Sequence, residues 1–279
     1  MISVSVPSPL QYFKTLVASD EGLPLLEAAA SIAQDEYPEL DLDSVIQDME
    51  QRAARLIRRI PADSAPLHRL RLLNHYFFGE LGFRLNANHY HDPANSFLHR
   101  VLDRRLGIPI SLAVLWLELA RAVHLNASGV SFPGHFLCKV KMNSGVVIID
   151  PCTGESLSRD QLAQRLAPWS PALEGGEIPV AMFLQSCTAR ELLARMLRNL
   201  KSIHAHAADP GRRLQVLDRL VALLPADLDE RCERGLLLAD LGQLREGLAD
   251  LDAYLASSPS APGREAIAAR REDIARQLH

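Results

Sequence analysis

The sequence predicts an α+β protein with a helical N-terminal segment, a core with a small antiparallel sheet, and a C-terminal array made only of helices. Three observations support this order. The helix predicted for residues 110–123 is apolar on nearly every face, which is typical of a buried helix. Three strand-like runs follow it, and a helix followed by antiparallel strands is typical of an α+β domain. From residue 188 onward the chain shows only helical periodicity.

The N-terminal segment, residues 1 to about 85, indicates a series of helices. Ser8 and Pro9 suit the start of one helix, and the missing N–H of Pro9 has no partner to lose in the first turn. Pro61 is expected to end a second helix, since the residue before a proline disfavours helical geometry. A third helix is predicted to begin at Pro66, with Gly82 at its C-terminal cap.

A polar loop at residues 86–95 separates these helices from the centre of the chain. A short helix is predicted next, from Ser96 to Arg105, and Ser96 is expected to cap it. Gly107 then interrupts the helix. Pro109 suits the first turn of the long apolar helix that follows.

The strand-like runs cover residues 127–132, 135–142 and 146–150. They are β-branched or alternate between apolar and polar residues, as strands do. The Asn-Ser-Gly sequence at 143–145 predicts a hairpin turn between the last two. Residues 158–168 are predicted to be helical again.

The C-terminal array contains a repeat, because Pro225 and Pro259 each close a helix pair and lie 34 residues apart. This period is typical of a helix–turn–helix repeat. The second unit carries the expected small and large residues at Gly235, Leu238, Gly247, Leu251 and Tyr254. A final charged helix, residues 264–278, is expected to cap the array.

Composition narrows the class of protein. The formal net charge is −4 and aromatic residues make up 5%, so neither a basic surface nor base-stacking platforms for nucleic acid are expected. No apolar run reaches the roughly 18 residues of a membrane span, and the N-terminus lacks a signal-peptide pattern. The four cysteines are scattered and form no metal-binding pattern. We therefore expect a cytoplasmic protein without a cofactor, a metal, a membrane or a nucleic-acid partner.

The candidate site is a His–Asp pair. His135 is predicted to begin one strand of the hairpin and Asp150 to end the next, so the two residues should lie at the same end. A carboxylate that orients a histidine is part of a Cys-His-Asp acyl-transfer site. The alternative is a histidine bonded to a backbone carbonyl and an aspartate that caps a turn before Pro151.

The stretch from Asn95 to Gly154 carries four motifs that resemble the SirB-type family of bacterial transglutaminase-like proteins. They are N-S-F-L-H-R-V-L, R-R-L-G-I-P-I-S-L-A, G-V-S-F-P-G-H-F-L and I-D-P-C-T-G. The resemblance covers nearly the whole chain and implies a papain-like α+β core followed by tetratricopeptide repeats. The expected domains are an N-terminal helical segment packed on the core (1–90), the transglutaminase-like core (91–170), a linker (171–187) and repeats with a capping helix (188–279).

The resemblance also implies which residues would be catalytic. Active transglutaminase-like enzymes begin the central helix with Gly-x-Cys-x-x-x-Ala. When this pattern is set on Gly107 and Ala113, the cysteine falls on Pro109, which has no nucleophilic side chain. His135 and Asp150 match the remaining two catalytic positions.

Two other residues are weak candidates for a displaced nucleophile. Ser111 lies two positions after Pro109, which rotates it by about 200° around the helix. Its alternative role is a buried hydroxyl bonded to a preceding carbonyl. Cys152 follows Pro151 in a turn near Asp150, and its alternative role is a structural thiol.

Three hypotheses for the function remain open at this point. The first is a non-catalytic adaptor that binds a protein or peptide through the transglutaminase-like cleft and the repeats. The second is a cysteine or serine hydrolase or acyltransferase that uses Cys152 or Ser111 with the His135–Asp150 pair. The third is a purely structural role, in which the pair only stabilises the hairpin.

Overall fold

The computed structural model describes residues 7–143, 145–169, 180–257 and 263–278 and is mostly helical with two small sheets, in agreement with the predicted α+β class. The helices are α1 (Pro9–Leu16), α2 (Leu25–Ser31), α3 (Leu42–Ile57), α4 (Pro66–Asn74), α5 (Leu98–Arg104), α6 (Pro109–Ala122), α7 (Arg159–Leu166), α8 (Ala189–His206), α9 (Pro210–Leu223), α10 (Leu228–Asp240), α11 (Leu244–Ser257) and α12 (Arg264–Gln277). The strands are β1 (Arg84–Leu85), β2 (Leu106–Gly107), β3 (Ala127–Val130), β4 (Leu137–Met142) and β5 (Gly145–Ile149).

The chain divides into two compact units. A core unit spans residues 20–196, and a helical unit combines residues 1–19 with residues 197–279. Helix α1 therefore belongs with the array, whereas the sequence analysis expected all of residues 1–90 to pack on the core. Phe13 of α1 explains this difference, because it is fully buried against α9. The central carbon of the Arg219 guanidinium lies 4.9 Å from the centre of the Phe13 ring.

The predicted linker, residues 171–187, is described only from residue 180 onward. In that part Val180 is buried in an apolar cluster with Val130 and Leu137, and Leu184 packs against the same cluster. These apolar side chains pack residues 180–187 against the sheet. A flexible linker between two domains would not have such buried contacts. The domain limits derived from the sequence otherwise stay a prediction.

Helix starts in the N-terminal segment follow the sequence signals. The Ser8 hydroxyl accepts a hydrogen bond from the Gln11 N–H at 3.2 Å and caps α1. Helix α4 begins at Pro66 and continues into one π-helical turn, His75–Glu80. Gly82 follows with a φ of +71°, the left-handed conformation expected of a glycine after a helix C-cap.

The prediction that Ser96 caps the short helix is wrong. Helix α5 begins at Leu98, and Phe97 occupies the cap position without a side-chain cap. Ser96 instead ends a short 3-10 turn, and its buried hydroxyl has no hydrogen-bond partner among the described residues.

Helix α6 is the centre of the core unit. Its residues from Pro109 to Trp116 are all buried, as its apolar sequence predicts. It packs against the helices α2, α3, α4 and α5 and against the strands β1, β3 and β4. The start of this helix is therefore enclosed by protein. This enclosure limits which groups can reach the side chains at the helix start.

The strands β3, β4 and β5 form an antiparallel sheet in that order. Gly129 in β3 pairs with Cys138 in β4, and Cys138 pairs with Ile149 in β5. The hairpin prediction is thus confirmed, although Ser144 in its turn lies outside the described residues. The strands β1 and β2 form a separate parallel pair that the sequence analysis did not predict.

The helical unit contains a close crossing of α10 and α11 at two small residues of the predicted repeat. A Cβ atom at Gly247 would lie 2.7 Å from the Gly235 carbonyl oxygen, so only glycine allows the two backbones to approach this closely. Leu251 and Tyr254 are buried beside the crossing. No helix in the described part of the chain is both long enough and apolar enough to cross a membrane.

Candidate functional site

His135 lies in the turn before β4, and not at the start of a strand as the sequence analysis expected. The turn closes when the His135 N–H donates to the Phe132 carbonyl at 3.0 Å. Gly134 precedes it with a φ of +68°, and a Cβ at this position would lie 2.6 Å from the Trp169 ring. A glycine is therefore needed both for the turn and for the tryptophan that covers it.

Asp150 follows β5 directly and reaches the same end of the hairpin. The His135 Nε2 and the Asp150 Oδ1 are 3.0 Å apart. An ionised carboxylate only accepts hydrogen bonds, so Nε2 carries the proton and donates it. The other ring nitrogen, Nδ1, is then the atom able to accept a proton from a nucleophile.

Two further groups hold the Asp150 carboxylate. The Cys152 N–H donates to Oδ1 at 3.0 Å, and the Arg165 Nη1 in α7 donates to Oδ2 at 2.8 Å. Burial alone would raise the pKa of Asp150. The hydrogen bonds and charges of His135, the Cys152 N–H and Arg165 outweigh that effect and hold the pKa of this carboxyl well below its ordinary value.

The loop after Asp150 is tied to the central helix. The Gly154 N–H donates to the Asp150 carbonyl at 2.8 Å, and the Gly154 carbonyl accepts from Asn74 Nδ2 at 3.0 Å. Asn74 in turn accepts from Trp116 Nε1 in α6 at 2.9 Å. The side chain of Asn74 therefore links this loop to the buried helix and limits the movement of Asp150.

Cys152 places a thiol beside the His135–Asp150 pair. Its sulfur, a His135 ring nitrogen and an Asp150 oxygen all lie within 4.8 Å of one another. Burial and the negative charge of Asp150 raise the pKa of the Cys152 thiol far above its ordinary value. The thiol is accordingly protonated near neutral pH, whereas a nucleophilic cysteine needs the thiolate.

The same three side chains offer nitrogen, oxygen and sulfur, which are the donors that zinc prefers. Both oxygens of Asp150 are already hydrogen-bonded, and one of them binds the Arg165 guanidinium. A cation would have to displace that positive side chain and remove the Cys152 proton. This arrangement fits a hydrogen-bonded carboxylate better than a metal site.

The start of α6 holds Pro109 and Ser111. Pro109 is buried in the first turn. The Ser111 hydroxyl lies 2.6 Å from the Asn95 carbonyl and 3.1 Å from the Ile108 carbonyl, and it accepts from the Ile108 N–H at 3.1 Å. It is fully buried. Its lone pairs and its proton are thus engaged with the backbone around the helix start.

Asn95 organises the polar loop beside this helix. Its Nδ2 donates to the His89 and Tyr90 carbonyls at 2.7 and 3.2 Å, and its Oδ1 accepts from Asn86 and Arg104, each at 3.0 Å. The loop brings Tyr90 near Cys152. Partial burial, and to a smaller extent the neighbouring Cys152, raise the pKa of the Tyr90 phenol, although Arg195 opposes this effect.

Three residues of the site, Arg165, Asn74 and Tyr90, were not predicted from the sequence. Arg165 lies seven residues after the Ser158 cap of α7, and only the docking of α7 brings it to Asp150. Asn74 ends α4 with no local pattern that marks it. The one available signal was the polar loop itself, which directly precedes the motif beginning at Asn95.

Comparison with known proteins gives two family matches. A model described as the transglutaminase-like superfamily matches residues 43–198. A tetratricopeptide repeat model matches residues 200–272. The first covers more than half of the chain and includes every site residue described above.

Curated relatives match over most of the chain. A UPF0162 protein of Xylella fastidiosa (strain Temecula1) is 36% identical over 266 residues, which is 92% of this chain and 92% of that protein. A UPF0162 protein of Pseudomonas aeruginosa is 31% identical over 250 residues, covering 80% and 88%. The protein SirB1 of Salmonella typhimurium is 29% identical over 204 residues, covering 71% and 73%.

A solved structure of menin also aligns with the chain. The TM-score is 0.41 at 10% sequence identity, with 89% of this chain and 70% of that chain covered. A similarity at this level carries no argument about function.

Proposed function

Since the chain belongs to the transglutaminase-like superfamily, and within it to the SirB-type proteins that continue into tetratricopeptide repeats, we propose that it is a non-catalytic binding protein. In this proposal the cleft beside His135 and the helical repeats contact a protein or peptide partner. The observation that carries it is Pro109, which stands in the first turn of α6 where the superfamily's pattern requires a thiol.

The two substitute nucleophiles also favour a non-catalytic role. The Cys152 thiol is held in its protonated form by burial and by the Asp150 carboxylate. The Ser111 hydroxyl is committed to backbone groups at the helix start. Neither side chain offers the free, activated lone pair that acyl transfer needs.

The repeats support the binding half of the proposal. Tetratricopeptide repeats generally mediate contacts between proteins, because stacked helix pairs present a continuous groove. With a formal net charge of −4 and few aromatic residues, a protein or peptide is a more suitable partner than nucleic acid. We also propose that the protein acts in the cytoplasm, away from the membrane.

One observation favours the enzymatic alternative, a hydrolase or acyltransferase. The Cys152 sulfur lies within 4.8 Å of a His135 ring nitrogen, so a modest movement would bring the two into contact. Proton transfer from the thiol to Nδ1, the ring nitrogen that does not donate to Asp150, would then create a thiolate beside an Asp150-stabilised imidazolium.

Turnover measurements separate the two candidates. The purified full-length protein is offered a glutamine-containing protein with a fluorescent amine, and a set of peptide amides and esters. We expect no turnover above the rate of a His135→Ala variant. Amine incorporation or hydrolysis that disappears in both His135→Ala and Cys152→Ala would replace the binding proposal by the enzymatic one.

A further inference from the structure

A second surface of the core unit lies at the opposite end of α6 from Pro109. It is a trough of about 860 Å³ lined by α2, α3, the last turns of α6 and β3. Pro109 and Ala122 are the ends of α6, and this helix of 14 residues spans about 20 Å. Neither His135 nor Asp150 lines the trough, so it is separate from the candidate site.

One wall of the trough is an apolar stripe on α3. Ile46, Ala53 and Ile57 line it at helical spacing, with the buried Met49 between them. Ile57 is 48% exposed. Leu117 of α6 and Leu23 before α2 add partly buried apolar surface on the other sides. Apolar side chains grouped in one groove are typical of surfaces that bind an apolar partner.

The charged groups in the lining have one predominant sign. Glu27, Glu50 and Glu118 contribute three carboxylates, and Arg121 contributes the one guanidinium among the lining residues. Arg121 forms an ion pair with Glu118, so its charge is locally compensated. The trough is thus an apolar surface with an acidic rim, which complements an apolar partner that carries lysine or arginine.

The shape of the trough favours a helix over a strand. From Ile46 to Ile57 the α3 wall runs for about 16 Å, the length of roughly three helical turns. A partner strand would need the free edge of β3, but the Gly129 carbonyl already accepts from the Cys187 N–H at 2.8 Å. The Ser128 hydroxyl also contacts Ser186 at 2.9 Å. This segment blocks strand pairing at the trough.

We propose that the trough binds an amphipathic α-helix of a partner protein, with apolar residues on one face and lysine or arginine along both flanks. Apolar anchors at i, i+4 and i+7 would enter the trough, as in other helix-in-groove contacts. A lysine or arginine on the flank that faces α3 would meet Glu50. This surface goes beyond the proposed function, because it neither includes His135 nor depends on the absence of catalysis.

A designed probe tests this proposal on the full chain. The probe is a fluorescent 18-residue helical peptide with leucines at i, i+4, i+7 and i+11, alanines elsewhere and lysines on both flanks. The control peptide has glutamates in place of the lysines. By fluorescence anisotropy we expect saturable binding of the lysine peptide, at least about tenfold tighter than the glutamate peptide. Added salt should reduce this preference, since exposed charges are screened.

Matched variants locate the contact. Ile57→Lys adds a positive charge to the α3 wall, and Glu50→Lys reverses a rim charge, so each should weaken binding at least about tenfold. Val146→Lys is the control, because Val146 is 56% exposed on β5 of the same unit and does not line the trough. It should change affinity less than about twofold. Circular dichroism of each variant shows whether the fold is retained.

The native thiol at Cys187 gives a readout that needs no variant. Cys187 lines the trough and is partly exposed, so saturating lysine peptide should slow its alkylation at least about threefold. Equal affinity for both peptides, equal effects of the Ile57→Lys and Val146→Lys substitutions, absence of saturable binding, or unchanged Cys187 alkylation would each overturn the proposal. Turnover dependent on His135 would contradict only the proposed function and leave this surface unaffected.

Discussion

Asp150 is the residue on which the candidate site depends. It receives hydrogen bonds from His135, from the Cys152 N–H and from Arg165, and its side chain is 5% exposed. The carboxylate therefore orients the histidine and at the same time keeps the neighbouring thiol protonated. Asp150 thus provides the geometry of a catalytic site but disfavours the thiolate that catalysis by Cys152 would need.

Replacement of Asp150 by asparagine should destabilise the protein. The neutral amide loses the charge-assisted hydrogen bonds to His135 and Arg165, and such bonds contribute about 1.5–3 kcal/mol each. Because Arg165 is 38% exposed and screened by water, we expect a total loss of about 2–3 kcal/mol in the free energy of unfolding at pH 7. Urea denaturation measures it. The control, Asp63→Asn at an exposed turn, should change stability by less than about 0.5 kcal/mol.

The pH dependence of this loss has a definite sign. Asp150 has a folded-state pKa below its unfolded value, so its contribution to stability is fully present above the unfolded value of about 3.9. That contribution falls as the pH drops below the unfolded value towards the folded one. The stability difference between wild type and Asp150→Asn should therefore be constant from pH 7 to about pH 5 and shrink below about pH 4. A difference that grows in acid would contradict this assignment.

At the scale of elements, the sequence predicted the helices, turns and caps that depend on neighbouring residues in the chain. The buried helix α6, the β4–β5 hairpin and the Ser8 cap follow from apolar pattern, turn residues and capping. Other features required packing between distant parts of the chain. Arg165 reaches Asp150 only after α7 docks, and α1 joins the array through Phe13 and Arg219. No local pattern encodes either contact.

The prediction that Ser96 caps a helix was wrong for a similar reason, since contacts with distant residues decide where α5 begins. A serine before an apolar run resembles a helix cap, but the preceding 3-10 turn shifts the start of α5 to Leu98. Asn95 fixes that turn through its bonds to the loop and to Ser111. The helix start is thus set by a buried polar network and not by the residue beside it.

The crossing of α10 and α11 is an element-scale feature that a substitution can test. Gly247→Ala would place a methyl group 2.7 Å from the Gly235 carbonyl and should cost about 1–3 kcal/mol, because the helices must separate. Thermal unfolding of the full chain measures the change.

A glycine in the same helical unit provides the control. Gly211 lies in the first turn of α9, and a Cβ there meets no atom closer than 3.6 Å. Gly211→Ala should be neutral or raise stability by up to about 1 kcal/mol, because alanine restricts the unfolded chain. Equal losses in both variants would show that the α10–α11 contact does not account for the effect.

For the whole molecule, a transglutaminase-like core that contains the His135–Asp150 pair precedes a set of tetratricopeptide repeats. The order of these parts and the position of the pair were predictable, since each follows from motifs along the chain. The protonated state of Cys152 was not predictable from the sequence, because it depends on the burial of the thiol beside Asp150. Our account of the function depends on that state and on Pro109.

Alkylation of the native protein tests the central claim most directly. The full chain is exposed briefly to iodoacetamide at pH 7.5, with and without denaturing urea, and modification of Cys152 is quantified by peptide mass spectrometry. Because the buried thiol is protonated, we predict that Cys152 reacts at least about 100-fold more slowly in the folded protein than in urea. Rapid modification of Cys152 in the folded protein, lost in a His135→Ala variant, would contradict the account and identify an active thiol.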